Sequence, residues 1–391
     1  MYSKELLENR HGDFRTLLAN IQDQEARKVD FVADTGGLNF NTIRGNTFVN
    51  SEQTGMATVS SRCNDVAFGQ ILAKADIDSR TGRRLQEGYP DVLDLALNRI
   101  YSSERKQVML RTFDDPSGGP DHLSHRELRA FLSDKYKRFD NVDILQAVVP
   151  ALMESDARWQ IVNSTVTDKR MTLRLKSAEI TGSGANVGDL MALGMNINNS
   201  ETGHGSAAIA KMFWTLACLN GMQTTQKHRS AHLTSSQADT EVWSVLTQEA
   251  KDADNSALSM KLRDVAANYS SRESFEQTLA AFRAAAGDTL TDGTTPQAAV
   301  DQVGRVLQLT KKETASVLDG LFSTMSQPGY NAGEPVSRAT LVNAVTAVAN
   351  DAALRANKID ADDVGEWERR GGRLLDLPAS QWTSIATAQA A

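Results

Sequence analysis

The sequence predicts an α+β fold: a central antiparallel sheet with packed helices, followed by a largely helical C-terminal half. Three observations carry this. Apolar runs and alternating segments cluster between about residues 61 and 235 and are joined by short turns rather than helical crossovers. From about residue 236 onward, helix-start and helix-stop signals follow one another closely. A chain of 391 residues with 40% hydrophobic and 23% charged content can bury a substantial core. The expected organisation is an N-terminal helix and irregular arm over 1–60, an α+β core over 61–235 and a helical region over 236–391.

The first segment places Leu6, Leu7, Phe14, Leu17, Leu18 and Ile21 on one side of an amphipathic helix. Residues 30–60 are rich in Gly, Asn and Thr and read as an arm or irregular linker. QVMLRTF and ELRAFLSDKYKRFD read as strands joined by the Pro/Gly-rich loop DDPSGGPDH. In NVDILQAVVPALM, Asn141 is placed to cap a helix. Its inner side holds Ile144, Leu145, Val148, Val149 and Leu152. RWQIVNSTVTDKRMTLRLKSAEI alternates around a polar centre at Thr167–Arg170, which predicts a hairpin. Its second strand carries Met171, Leu173 and Leu175 on one face and Thr172, Arg174 and Lys176 on the other.

The stretch NINNSETGHGSAAIAKMFWTLACLNGM predicts another paired unit. NNSETGHGS makes a tight connection, and Asn220-Gly221 is a turn signal. The periodicity of AAIAKMFWTLACLNG fits a strand or a helix equally. In the last zone, Ser270 with Glu273 and Thr310 with Glu313 form capping boxes, and Thr295 precedes Pro296 at the first helical position. SRATLVNAVTAVANDAAL and DDVGEWERRGGRLL are two further helices, the second stopped by Gly371 and Gly372. No internal repeat is evident.

Net charge is −7, which argues against a protein that coats nucleic acid over its whole surface. The charge is uneven, however. Residues 101–232 hold 16 Lys and Arg against 14 Asp and Glu, so the middle is mildly basic and both ends are acidic. A localised basic groove fits that distribution. No apolar run is long enough to span a bilayer, and the N-terminus lacks a signal pattern, so no membrane partner is expected. Two cysteines, Cys63 and Cys218, give no disulfide framework and suit a reducing cytoplasm. Cys218, inside an apolar run, reads as a buried small residue.

No GxxxxGK[ST] loop is present, and GSGANVGD fits neither that pattern nor a GxGxxG fingerprint. No GxSxG elbow is present either. ATP- or NAD-driven chemistry is therefore not expected, and no cofactor is implied. Glu201 and His204 in NNSETGHGS have two readings. As chemical groups, with Asp189, His228 and His232, they would serve a metal-dependent hydrolase, the metal candidates being His204, His228 and His232. As structural groups, they belong to a turn whose Asn199, Ser200, Gly203 and Gly205 favour positive φ. No HExxH pattern or cysteine cluster completes a zinc set, which favours the turn.

The basic residues give a different candidate site. Lys135, Lys137, Arg138, Lys169, Arg170, Arg174 and Lys176 fall on predicted strands or their turns, near Tyr136 and Trp159 in sequence. Charges that track phosphates, interleaved with rings that stack on bases, suit single-stranded nucleic acid. The competing reading is an ordinary solvated sheet face, which the interspersed Asp134, Asp140 and Asp168 support.

LRAFLSDKYKRFDN, VNSTVTDKRMTLRL, VGDLMALGMNINNSETGHGS and TLACLNGM together resemble the phage/plasmid-like proteins of domain-of-unknown-function family 932. ATVSSRCNDVAFGQIL and the segment from LVNAVTAVAND to WTSIA fit the same pattern, so the likeness spans about residues 55 to 385. Ser133–Tyr136 and Asn199–Gly205 hold its best-marked positions. The short acidic N-terminal part and the helical stretch near 236–290 depart from it. The resemblance implies a product of a phage, plasmid or prophage, of the kind grouped with recombination and single-strand-binding genes. A looser analogy is to single-strand annealing recombinases, with an antiparallel sheet, a basic groove and an oligomeric ring. The expected function is an ATP-independent single-stranded DNA-binding protein, a homo-oligomer assisting recombination or replication by strand annealing, without catalytic residues. The alternatives are a phage structural or host-interaction protein and the metal-dependent hydrolase.

Overall fold

Alternating burial along short strands, with an amphipathic helix before or after each group, organises this chain into sheets covered by helices. The computed structural model describes residues 14–51, 59–115, 124–184, 190–215, 220–230, 246–326, 330, 333–350 and 361–389. The fold is α+β, as the sequence predicts, but the described strands form two sheets rather than one. The first has six strands, in the order β1 (Lys28–Asp34), β5 (Gln107–Asp114), β6 (Arg126–Ser133), β4 (Val59–Cys63), β3 (Asn46–Ser51) and β2 (Leu38–Ile43). It is antiparallel except where β4 runs parallel to β6. The second has five antiparallel strands, in the order β11 (Asn220–Ser230), β10 (Ala207–Thr215), β9 (Leu190–Asn199), β8 (Met171–Ser183) and β7 (Trp159–Val166).

The expected arm is a correction: within residues 30–60, positions 30–51 supply β1, β2 and β3, and 52–58 lie outside the described residues. The Asn/Thr-rich composition misleads because its polar groups are satisfied inside the sheet. Asn50 donates to Asn41 across the pair at 2.8 Å. Asn98 and Asp94, from helix Pro90–Ser103, bond the backbone of Phe40 and Thr42. Phe40, Phe48 and Val49 meanwhile enter the core. The β2–β3 turn places Arg44 and Gly45 at φ 50° and 75°, the doubly left-handed turn that suits the right-handed twist of a hairpin. Arg at the first of these positions hides the usual Asn-Gly signal.

Sheet one packs on helices Asp65–Lys74 and Pro90–Ser103 through Phe68, Ile71, Leu93, Leu97 and Phe131. Part of sheet two, with Leu173, Leu175, Met195 and Ile197, packs on helices Phe14–Arg27, Asn141–Glu154 and Gln248–Tyr269. Its remainder, with Met191, Leu193 and Phe213, packs on the C-terminal helices between 272 and 386. The ambiguous run at 207–215 is a strand. All nine residues are buried, which explains its continuous apolar pattern. Lys211 survives there because its ammonium donates to the backbone and side-chain oxygens of Ser274 at 3.0 and 2.9 Å. The 159–183 hairpin forms as expected, closed by the Thr167 N–H donating to Arg170 O at 2.9 Å.

The C-terminal half is helical, and Thr295 and Thr310 cap as predicted. Other signals shift. Ser271, not Ser270, caps helix Arg272–Gly287, because Ser270 still belongs to the end of the preceding helix. Asp140, not Asn141, is the N-cap of helix Asn141–Glu154. Gly371 and Gly372 do not stop helix Ala361–Leu375 but lie inside it, where it rests against β11. Among the described residues, no helix is long and apolar enough to cross a membrane.

Candidate anion-binding junction

The two sheets meet at the loop from Asn199 to Ser206, between β9 and β10. Gly203 there has φ +80°, the left-handed conformation that glycine tolerates best. The loop is tied internally and to the β7–β8 turn. Ser200 Oγ donates to Lys169 O at 2.6 Å and accepts the His204 N–H at 2.9 Å. Thr202 Oγ1 donates to Asp168 O at 2.9 Å, and Arg170 Nη2 donates to His204 O at 2.6 Å. His204 Nδ1 lies 3.0 Å from Thr202 O, an arrangement that places the proton on Nδ1. Sheet one then grips the loop backbone. The Tyr136 hydroxyl donates to Ser200 O at 2.8 Å, Gln70 to Thr202 O at 2.7 Å and Arg111 Nη1 to Glu201 O at 2.9 Å. NNSETGHGS is thus a fold-defining turn.

Beneath the loop runs a buried ionic network. Arg111, fully buried on β5, contacts Asp30 Oδ2 from both Nε and Nη2, at 2.8 and 2.7 Å, and donates from Nη2 to Asp140 Oδ1 at 2.7 Å. Lys28 bridges Asp140 and Glu25. Arg129 on β6 pairs with Glu201, whose Oε1 also accepts the Asn141 N–H at 2.6 Å. That N–H is one of the free donors at a helix N-terminus, a favourable place for a carboxylate. Burial alone would raise the Asp140 pKa, but Arg111 and Lys28 outweigh it and hold the carboxyl below the usual range. Burial likewise opposes the charge on Lys28, and Asp140 and Glu25 more than reverse this. Burial raises the Tyr136 phenol, which therefore stays a protonated donor.

A depressed carboxyl pKa stabilises the fold above its unfolded value, about pH 4, and that contribution is lost as pH falls toward the folded value. Asp140→Asn is therefore expected to cost most near neutrality and progressively less in acid. Urea unfolding of both proteins between neutral pH and about pH 3 checks this. A stability difference that does not change with pH contradicts it.

Beside the network lies a pocket of about 60 Å³, lined by Phe113, Arg129, Asp168, Lys169, Arg170 and Thr202 among others. Arg129 is only 5% exposed, and its guanidinium sits 4.2 Å over the Phe113 ring. One of its nitrogens serves Glu201. Nε and Nη2 are buried without a hydrogen-bond partner among the described residues. Three cations, Arg129, Lys169 and Arg170, line the recess against two carboxylates, Asp168 and Glu201, and the under-satisfied guanidinium makes it a candidate for an oxyanion.

The predicted basic site breaks up. Lys169 is exposed at the hairpin apex and Arg170 half-buried, and both line the pocket. Arg174 is a correction: it is 7% exposed, with Nη2 3.3 Å from Glu368, itself fully buried. Helix Ala361–Leu375 brings that carboxylate from 194 positions away in sequence, so nothing in the hairpin itself announces it. Tyr136 is buried under the loop and Trp159 is half-buried, its N–H donated to Ser155 Oγ at 3.0 Å; neither ring is presented for stacking. Lys137 is paired with Asp254. Arg138 is exposed, Lys176 is half-buried on β8, and Lys135 lines a different cleft. The continuous basic strand face therefore does not form.

Among the described residues, no group of three or more His, Cys, Asp or Glu side chains is placed to hold a metal ion. His228 lies on β11, while Asp189, Cys218 and His232 lie outside the described residues. Burial raises the Cys63 thiol, leaving it a poor nucleophile.

Two residues that matter most here, Arg111 and Arg129, escape the pattern reading because they sit inside apolar strands. The signal was present: QVMLRTF and ELRAFLS each carry one central arginine, and an arginine in a buried strand requires an acidic partner. Compared with protein-family profiles, curated proteins and solved structures, the chain matches none.

Proposed function

We propose that this protein binds the backbone of single-stranded DNA without nucleotide hydrolysis, in strand handling for a phage or other mobile element. The observation that carries the reading is Arg129, buried with Nε and Nη2 unpaired among the described residues, in a pocket that Lys169 and Arg170 also line. A phosphate oxygen accepts from such donors, which otherwise cost about 1–3 kcal/mol for each group left unmade. At about 60 Å³ the recess suits one phosphate rather than a base. A single strand bends cheaply enough to present a phosphate into a recess, whereas duplex DNA keeps its direction over roughly 150 base pairs. The net charge of −7 fits local rather than extensive contact. Of the motifs that resemble the phage/plasmid-like family, Asn199–Gly205 forms the junction loop and Tyr136 bonds it through Ser200 O.

Fluorescence anisotropy with a labelled oligothymidylate at several salt concentrations tests this. Lys169→Glu with Arg170→Glu should weaken binding about tenfold or more. It should also make the slope of log affinity against log salt shallower by about 1. Lys169→Glu alone, at an exposed apex, should show a smaller change in the same direction with unchanged folding. An affinity and a salt slope identical in all three proteins refute the proposal.

A further inference from the structure

A second and larger cleft, of about 510 Å³, shares no lining residue with the junction pocket. Such a volume is ordinary for a small-molecule site. Four pieces of chain bound it: the end of helix Asp65–Lys74, the end of helix Pro90–Ser103 with its exit to β5, the Thr35 turn, and Ser133–Lys135 after β6. Its chemistry is divided. Half-buried Ile100 and the edges of Tyr101 and Val108, 5% and 4% exposed, form its apolar side, and Lys74, Lys106 and Lys135 line the other with the carboxylates of Glu104 and Asp134.

The wall is rigid. The Tyr101 hydroxyl donates to Ile71 O at 2.7 Å, and its ring stacks on Phe40 with centroids 4.9 Å apart and meets Phe131 edge-on at 5.5 Å. The cations are under-compensated. Lys106 has an exposed contact to Glu104 at 3.1 Å. Neither Lys74 nor Lys135 has an acidic partner within ion-pair distance among the described residues, although Asp134 lies at the rim. Partial burial, and secondarily the charge of Lys106, lowers the Lys74 pKa, although both side chains still reach solvent. Lys74 also sits in the last turn of its helix, where a cation complements the helix dipole. That accounts for one lysine and leaves the presence of three in one cleft lining unexplained.

We propose that this cleft binds a nucleoside mono- or diphosphate, its phosphate held by Lys74, Lys106 and Lys135 and its base laid against Ile100 and the exposed edges of Tyr101 and Val108. The site is independent of the DNA-binding reading and stands if that reading fails.

Isothermal titration of the full chain with ADP, AMP and adenosine tests it, using Lys135→Glu and the double variant Lys74→Ala with Lys106→Ala. ADP should bind, adenosine about tenfold or more weakly, and each variant should lose about tenfold or more in ADP affinity, the scale of one charge-assisted contact. Lys169→Glu should leave ADP binding unchanged. The proposal is overturned if ADP gives no binding heat at millimolar concentration. It is equally overturned if adenosine binds as well as ADP, or if the lysine variants weaken oligothymidylate binding while leaving ADP binding untouched.

Discussion

Replacing Arg111 with methionine should lower the free energy of unfolding by about 3–5 kcal/mol, the scale for breaking a buried ion pair from one side. Arg111 is fully buried, and its partners Asp30 and Asp140 are almost as buried. Methionine fills much of the volume but removes every donor, leaving Asp30 without its cation and Asp140 with Lys28 alone. The bond to Glu201 O, which ties the β9–β10 loop to β5, goes with it. The loss therefore falls on the joint between the sheets rather than on one strand. Guanidinium unfolding measures it, and a second substitution gives the control. Arg111→Met with Asp30→Asn should recover part of the loss, because the orphaned charge is gone. A loss below about 1 kcal/mol in the single variant means the network is not a structural joint.

The second large effect is expected at Gly372. A Cβ there would stand 1.8 Å from the backbone oxygen of Gln223, closer than any real contact, with Thr224 Cα at 3.2 Å. Backbone cannot move aside as a side chain does, so helix Ala361–Leu375 must lift from β11. Alanine would ordinarily gain about 1 kcal/mol over glycine in a helix interior. Here overpacking should reverse the sign and leave a net loss of about 2 kcal/mol or more. Gly365, in the same helix, is the internal comparison. Its nearest neighbour for a Cβ is the flexible end of Arg369 at 3.4 Å, so Gly365→Ala should be neutral or mildly stabilising. Thermal unfolding of the pair distinguishes propensity from packing: equal shifts in the same direction contradict the close approach.

These two sites also show what could be read in advance. The 159–183 hairpin and the helix starts at Thr295 and Thr310 follow from local signals, because turn chemistry and periodicity are properties of neighbouring residues, whereas the β10 run fits a strand or a helix equally until its burial is seen. The Gly371-Gly372 pair looks like a helix stop in sequence. Only the position of β11, some 150 residues earlier, turns it into a packing notch. Arg174 failed in the same way. Its alternation placed it correctly on the face opposite Leu173 and Leu175, yet Glu368 covers that face. The residues 30–51 misread by composition were polar strands completed by amides of a distant helix. Lys169, Arg170 and the NNSETGHGS turn were legible as candidates, and the structure brings them together. Arg129, which gives the pocket its character, was hidden by its apolar neighbours.

The most direct measurement is photo-crosslinking of the protein to 5-iodouracil-substituted single-stranded DNA, with attachment sites mapped by mass spectrometry. Crosslinks should concentrate on peptides carrying Phe113, Thr167–Met171 and Glu201–Thr202, which line the recess with Arg129. Crosslinks confined to other surfaces, or none above background, would contradict binding at the junction.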